Sequence, residues 1–294
     1  MTTDPILFAD AEASFSDARF VIFGGPFDGT VSHRAGTKDA PAAIRRESYN
    51  FETYLYEYDI ELTTIAVHDA GDLSFLPETR AALDAICQFT KKIAAENKFP
   101  IMLGGEHSLS VGALKGLMEG ISDTKSKPPV GVVVLDAHLD YRNEYENERF
   151  SHACSARRLA ELVGIKNIVT IGVRSMSGEE RKDALKHGLK FYDMNTVAEM
   201  GMKLILEDVR DLIEPARIYL SMDMDAFDPA FAPGVGNPEP FGLTPVHVRE
   251  CIEQLAPHLA GFDIMETSPP YDNGNTAALA ARFVRNVIGL VGSK

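Results

Sequence analysis

Asp136-Ala137-His138-Leu139-Asp140 is the segment of this chain best equipped for chemistry, and it follows directly on the apolar run 130–135. On an extended chain alternate side chains point the same way, so Asp136, His138 and Asp140 can converge. Three ionisable groups at a buried strand end are costly unless a cation or partner charges compensate. Asp223 and Asp225 repeat the device after the run 218–222, with no Lys or Arg between them. Two such carboxylates demand a cation or a shared proton. His107 follows Gly104-Gly105-Glu106 at the end of the run 100–103. Two histidines and four aspartates form an oxygen-rich donor set, which suits Mn²⁺ better than Zn²⁺ or copper. Six ligands are too many for one ion that keeps open positions. They match two ions sharing carboxylates, an arrangement that supplies hydroxide from water at neutral pH. Taken singly, Asp-x-His-x-Asp also reads as a surface turn, Asp-x-Asp as a helix N-cap, and His107 as a hydrogen-bonded structural histidine. Three such groups, each directly after an apolar run, favour a dinuclear metal centre.

The elements that must position these groups are legible as alternating runs. Apolar, β-branched segments recur at 20–24, 65–68, 100–103, 130–135, 167–173, 190–192, 218–222 and 262–265. Several are apolar on successive residues, as in parallel strands covered on both faces. Between them, 78–97 places Leu83, Ile86, Phe89 and Ile93 at helical spacing, and 156–163, 178–187, 203–213, 245–255 and 275–290 behave alike. The pattern predicts an α/β fold: a three-layer α/β/α arrangement around a mainly parallel sheet of about eight strands. Ligands of such folds bind outside the carboxyl ends of the strands, where the Asp and His segments lie. No linker interrupts the 294 residues, so one catalytic domain is expected over 1–294. The Pro/Gly-rich stretch 229–245 reads as a loop. Gly24-Gly25 has no Gly-Lys-Ser/Thr or GxGxxG context and reads as a tight turn at the site's rim.

Lys plus Arg is 29 and Asp plus Glu is 43, a net charge of −14 that argues against nucleic acid and anionic membranes as partners. It is compatible with a cationic ligand. No run of 18 apolar residues suggests a transmembrane helix. Residues 1–10 carry Asp4 and Asp10 and no basic cluster, so no signal peptide is expected. Cys87, Cys154 and Cys251 are scattered and read as buried thiols in a reducing cytoplasm.

Gly-Gly-Glu-His-Ser at 104–108, Asp-Ala-His-Leu-Asp at 136–140 and Ser-Met-Asp-Met-Asp-Ala-Phe-Asp-Pro at 221–229 resemble the three signatures of the ureohydrolases. These are the arginases, agmatinases, guanidinobutyrases and formiminoglutamases, and the resemblance runs from about Phe20 to Leu290. It implies an arginase-like fold, two Mn²⁺ per subunit, and hydrolysis of a guanidino group by a hydroxide bridging the ions. It also implies a homo-oligomer, trimer or hexamer. By the same resemblance His107, Asp136, Asp140 and Asp223 would hold one ion and Asp136, His138, Asp223 and Asp225 the other, with Asp136 and Asp223 bridging. His152 looks like the family's active-site histidine, a proton shuttle or substrate contact, and its near-neutral pKa suits acid work on a leaving amine. Asp140 or His152 would deliver that proton. Glu266 looks like the carboxylate that pairs with the substrate guanidinium. Without the resemblance, His152 reads as a helix start and Glu266 as a solvated strand-end charge. Asp228 reads equally as a residue supporting the ligands and as a turn carboxylate before Pro229.

The stretch 141–151 lacks the Ser-Gly-Asn element that arginases carry before the histidine, and it holds Glu144, Glu146 and Glu148. Glutamates repel a substrate carboxylate and tolerate an ammonium, and 151–158 and 232–240 also resemble agmatinases. The expected reaction is therefore agmatine to putrescine and urea. Arg142 and Arg149 could receive a carboxylate, which keeps arginine and guanidinobutyrate open. Two remoter readings share the fold: a zinc deacetylase with one Asp/His/Asp site, and a non-catalytic regulatory subunit. His107, Asp140 and Asp225 argue against the first, and the intact ligands with His152 and Glu266 against the second.

Overall fold

The computed structural model describes residues 6–121, 130–213 and 217–293. Residues 1–5, part of the segment read as lacking a signal peptide, lie outside them. Eight strands form the main sheet: β1 Phe20–Gly24, β2 Val67–Asp72, β3 Phe99–Leu103, β4 Val130–Leu135, β5 Ile168–Val173, β6 Lys190–Asp193, β7 Arg217–Asp223 and β8 Leu259–Met265. Their order is β2-β1-β3-β8-β7-β4-β5-β6, and every pairing is parallel.

The helices are α1 Ala40–Ser48, α2 Thr79–Ala95, α3 Leu109–Ile121, α4 Ser155–Val163, α5 Gly178–His187, α6 Met194–Met200, α7 Met202–Leu212, α8 Pro245–Leu255 and α9 Asn275–Gly292. Two hydrophobic cores lie on opposite faces of the sheet. One joins Ile22, Leu103, Val133 and Leu220 to α1, α7, α8 and α9. The other joins Val21, Met102, Val132 and Val134 to α2, α3 and α4. The chain is a three-layer α/β/α structure. Strands buried on both faces must be apolar at successive residues, each side chain contributing about 1.5–3 kcal/mol of burial.

Strand order and register together build the site. Leu103 pairs with Ile264, Ile264 with Met222, and Met222 with Leu135, so β3, β8, β7 and β4 end level with one another. The residues that follow this row are the chemical segments at 104–108, 136–140 and 223–225, with Glu266 one residue beyond β8. Segments more than a hundred residues apart become neighbours by strand adjacency alone.

Three helices, α1, α3 and α6, were not anticipated. α3 carries Gly112, Gly116 and Gly120, which lower its helix propensity. Their spacing puts them on one face, against α2. A Cβ there would come within 2.6 Å of the Leu83 carbonyl oxygen, 2.2 Å of that of Cys87 and 2.6 Å of that of Lys91. The glycines are what lets the two helices touch by their backbones. The strand expected at 65–68 lies at Val67–Asp72 instead. It is an edge strand in register with β1 through Phe20 and Val67. Its Asp69 is buried and paired in a fork with Arg45, at 2.7 and 2.9 Å. A charged strand of this kind escapes a search for apolar runs. All three cysteines are buried free thiols. Among the described residues no helix is long and apolar enough to cross a membrane.

Candidate active site

The expected metal ligands gather at the level edge of β3, β7 and β4. His107 Nδ1 lies 3.1 Å from Asp136 Oδ2, 3.1 Å from Asp223 Oδ2 and 3.7 Å from Asp140 Oδ2. His138 Nδ1 lies 2.9 Å from Asp225 Oδ2 and 3.7 Å from Asp136 Oδ1. Among the described residues two triads can each present ligand atoms within 4.8 Å of one another: His107, Asp136 and Asp140, and Asp136, His138 and Asp225. Asp136 belongs to both, as a bridging carboxylate would. Asp223 stands beside the first triad through His107.

The backbone here is not the extended strand that alternation assumed. Asp140 has φ 48°, in the left-handed region, and Asp225 sits in a 3₁₀ turn at Met224–Ala226. Convergence comes instead from a division of labour between carboxylate oxygens. Asp136 Oδ1 accepts the His138 amide at 2.6 Å, Asp223 Oδ1 accepts the Asp225 amide at 2.7 Å, and Asp225 Oδ1 accepts the Ala137 amide at 3.1 Å. In each case Oδ2 is left facing the cluster. His107 Nδ1 and Asp136 Oδ2 are buried without a hydrogen-bond partner. A cation between them satisfies both atoms, so this oxygen-rich donor set fits a divalent metal pair.

The electrostatics lead the same way. Burial lifts Asp140 and Asp223 well above the usual carboxylate range, helped by the charges of Asp136 and, for Asp223, of Asp225. Burial alone would lower the His107 pKa, but Asp136 and Asp223 outweigh it and raise it well above normal. Four aspartates so close cannot all ionise without positive charge among them.

Behind His107 lies a polar chain that was not anticipated. His107 Nε2 meets Ser221 Oγ at 3.0 Å, and Ser221 donates to Asp263 Oδ1 at 2.7 Å. The Tyr219 hydroxyl donates to the other Asp263 oxygen. Asp263 is wholly buried. Its signal was visible as a carboxylate between Phe262 and Ile264 in an otherwise apolar strand.

Glu266 is 8% exposed, has φ 63°, and accepts the His107 amide on Oε1 at 2.7 Å. Burial and the charge of Glu106 raise its pKa well above normal, so its ionised form calls for a cationic partner. With His138, Asp140, Asp225 and His152 it lines a cavity of about 380 Å³. His152 departs from expectation: burial lowers its pKa to about 4. At neutral pH it is a neutral imidazole, which accepts a proton more readily than it gives one.

Around the rim, Asp228 accepts the Ala230, Phe241 and Gly242 amides and so pins the loop between them. Arg174 clamps the same loop, donating to the Asp225, Phe227 and Glu239 carbonyls at 2.8, 3.1 and 2.7 Å. The segment after Gly24-Gly25 supplies Thr30, which touches His152, and Ser32 at the cavity wall. Arg142 lines the cavity with its Nε 3.7 Å from Glu180, whereas Arg149 points to Glu161. Glu144, Glu146 and Glu148 do not line it. Glu144 lines a neighbouring cavity, Glu146 is exposed, and Glu148 accepts the Phe150 amide.

Known proteins resemble this chain in sequence and fold. The sequence profile of the Arginase family matches residues 18–289. The agmatinase of Pyrococcus horikoshii is 36% identical over 278 residues, 93% of this chain and 92% of that protein. The N(1)-aminopropylagmatine ureohydrolase of Thermococcus kodakarensis is 36% identical over 277 residues, 92% of this chain and 90% of that one. The crystal structure of the agmatine ureohydrolase of Thermoplasma volcanium superposes with a TM-score of 0.91 at 40% identity, covering 99% of this chain and 95% of that one. A parallel sheet whose four central strands deliver these aspartates, histidines and one buried glutamate to a single cavity is therefore the scaffold of a guanidino-group hydrolase, and the chain belongs to the arginase family of ureohydrolases.

Proposed function

We propose that this chain is an agmatinase, hydrolysing agmatine to putrescine and urea within one catalytic domain, in the cytoplasm, as a homo-oligomer. The observation that carries the reading is Glu266: a buried carboxylate with one oxygen on the His107 amide, facing the His/Asp cluster within the same cavity. A planar guanidinium between them meets a charge partner on one side and the nucleophile on the other. His107, Asp136, Asp140 and Asp223 would hold one cation, and Asp136, His138, Asp223 and Asp225 the other. Bound there, two divalent ions, Mn²⁺ by the donor set, would offset the aspartate charge and supply a nucleophile from water at neutral pH. Asp140, whose Oδ2 accepts the Ser155 hydroxyl at 3.0 Å, and His152 face the cavity as the groups able to carry a proton to the departing amine.

Substrate choice follows from the distal wall. Arg142 there is engaged by Glu180, which is itself buried. With the aspartates offset by the ions, Glu266 and Glu180 against Arg142 leave the cavity net negative, which favours a substrate cationic at both ends. A longer amine is the second reading. The neighbouring cavity of about 490 Å³ shares Arg142, Ser177 and Glu180 with this one; its acids Glu144, Glu179, Glu180 and Asp183 are matched by Arg142, Arg157, Lys182 and Lys186, so it adds room for a longer substrate without net negative charge. The test is urea release with Mn²⁺ from agmatine, N1-aminopropylagmatine, arginine and 4-guanidinobutyrate. Agmatine is expected to show the highest kcat/KM. Preference for arginine or guanidinobutyrate would refute the charge argument, and no urea from any of them would refute the activity.

A further inference from the structure

Glu106, between Gly105 and His107, is left without a task by the metal reading, yet it is wholly buried. Its Oε2 accepts the Thr30 amide at 2.6 Å, and its Oε1 accepts the hydroxyls of Thr30 and Ser108, each at 2.6 Å. Three donors converge on it, as on an ionised carboxylate. Thr30 has one hydroxyl proton. Once that proton is given to Glu106, Thr30 Oγ1 can only accept. The groups that approach it are both on His152: the backbone amide at 3.0 Å and ring Nδ1 at 3.2 Å. An accepting oxygen there calls for a proton on Nδ1, which Ser151 Oγ, 3.4 Å from the same nitrogen, can accept as well. The neutral ring then carries its lone pair on Nε2, where Ser32 Oγ lies 3.2 Å away at the cavity wall.

We propose that Glu106 and Thr30 are positioning residues: Glu106 orients the Thr30 hydroxyl, and Thr30 holds His152 as the Nδ1–H tautomer, with the accepting Nε2 at the cavity wall beside Ser32. A free neutral histidine favours the opposite tautomer, so the relay selects the form that presents an acceptor at the cavity wall. The same two contacts fix the ring's orientation, since Nδ1 and the main-chain amide grip one oxygen. A fixed tautomer matters because a ring with its proton on the wrong nitrogen cannot receive one where the chemistry needs it, a defect worth up to about 10⁴-fold in the serine-protease triad.

The inference rests on His152 acting in the proposed reaction, and the test separates the two. Imidazole ¹⁵N shifts are recorded at neutral pH on full-length protein labelled at histidine, with diamagnetic Mg²⁺ as the divalent cation. The His152 signals are assigned by their loss in His152→Asn. The expected result is a protonated Nδ1 and an unprotonated Nε2 in the wild type. In Thr30→Val, which keeps the shape and removes the hydroxyl, that pattern is lost. The variant's kcat for urea release falls roughly 100-fold, the lower end of general acid–base contributions, with KM within about threefold. Thr30→Ser restores both pattern and rate. An Nε2–H tautomer in the wild type, or a Thr30→Val enzyme with unchanged kcat, would overturn the proposal. No urea from the wild type with any guanidino substrate would overturn the functional reading while leaving the tautomer result standing.

Discussion

Replacing Asp263 by asparagine tests whether the buried chain behind His107 sets the affinity of the proposed metal site. The side chains are nearly isosteric, so the perturbation is the loss of a charge at a position with no solvent access. Asp263 accepts from Ser221 Oγ at 2.7 Å and from the Tyr219 hydroxyl. Asparagine can keep one of these bonds and must reverse the other. A hydrogen bond to a charged group contributes about 1 kcal/mol more than a neutral one, so two weakened bonds amount to ~2 kcal/mol. The part transmitted through Ser221 to His107 Nε2, 3.0 Å away, appears as metal affinity. Loss of such an outer partner typically weakens binding by about 10–100-fold, or roughly 1.4–2.7 kcal/mol, which agrees with the bond count. The assay is competition between the protein and a fluorescent chelator for Mn²⁺, alongside urea release from agmatine over a Mn²⁺ titration. The expected outcome is Mn²⁺ binding weakened about 10–100-fold, with kcat recovering to within a few-fold at saturating metal. A folded Asp263→Asn protein that binds Mn²⁺ within twofold of the wild type would refute the claim that this chain orients His107.

Asp136→Ala removes the one carboxylate common to both ligand triads, so both metal equivalents and activity should be lost together; wild-type metal content by elemental analysis would end the bridging assignment. Glu266→Gln keeps the hydrogen bond to the His107 amide but removes the charge facing the guanidinium, and kcat/KM for agmatine should fall about 10²-fold or more with metal content unchanged. An unchanged kcat/KM would move guanidinium recognition elsewhere. His152 titrates near 4 because it is buried, so between that pH and the ordinary value near 6.5 the unfolded chain binds the extra proton. Its contribution to stability is therefore complete above about pH 6.5 and is lost as pH falls towards 4, about 3 kcal/mol in all. Calorimetric melting of His152→Asn against wild type from pH 7 to 4.5 should show the variant losing less stability on acidification, and parallel curves would contradict a buried neutral ring.

Most of the architecture was legible because parallel strands covered on both faces must be apolar at successive residues, and a charged residue directly after such a run stands out. What escaped notice escaped for physical reasons. α3 reads poorly because Gly112, Gly116 and Gly120 are poor helix formers, and they are there to let α2 approach. β2 was expected at 65–68, short of its true extent to Asp72, because it lies at the sheet edge and carries Asp69 against Arg45. The low pKa of His152 depends on its burial, which outweighs the opposing hydrogen bond to Thr30, 122 residues away in sequence, and no local pattern encodes either. Glu106 and Asp263 were visible as charges among apolar or glycine neighbours, but their partners are set by strand order.

The clearest lesson concerns readings posed as alternatives. Asp-x-Asp at 223–225 was weighed as a helix cap against a metal ligand, and Asp136 in its segment as a turn against a ligand. The structure shows the turn bonds and leaves an oxygen of each carboxylate free for the proposed ligation, so the two readings are compatible. A carboxylate has two oxygens, and Asp136 and Asp223 each commit Oδ1 to the amide two residues on. That local bond is itself what a cap or turn consists of. It fixes the side-chain rotation so that Oδ2 points into the cluster without further entropic cost on binding a cation. Local turn chemistry and ligation are therefore successive uses of one side chain, and a substitution that preserves charge but not this reach, such as Asp223→Glu, should bind metal more weakly than its charge alone predicts.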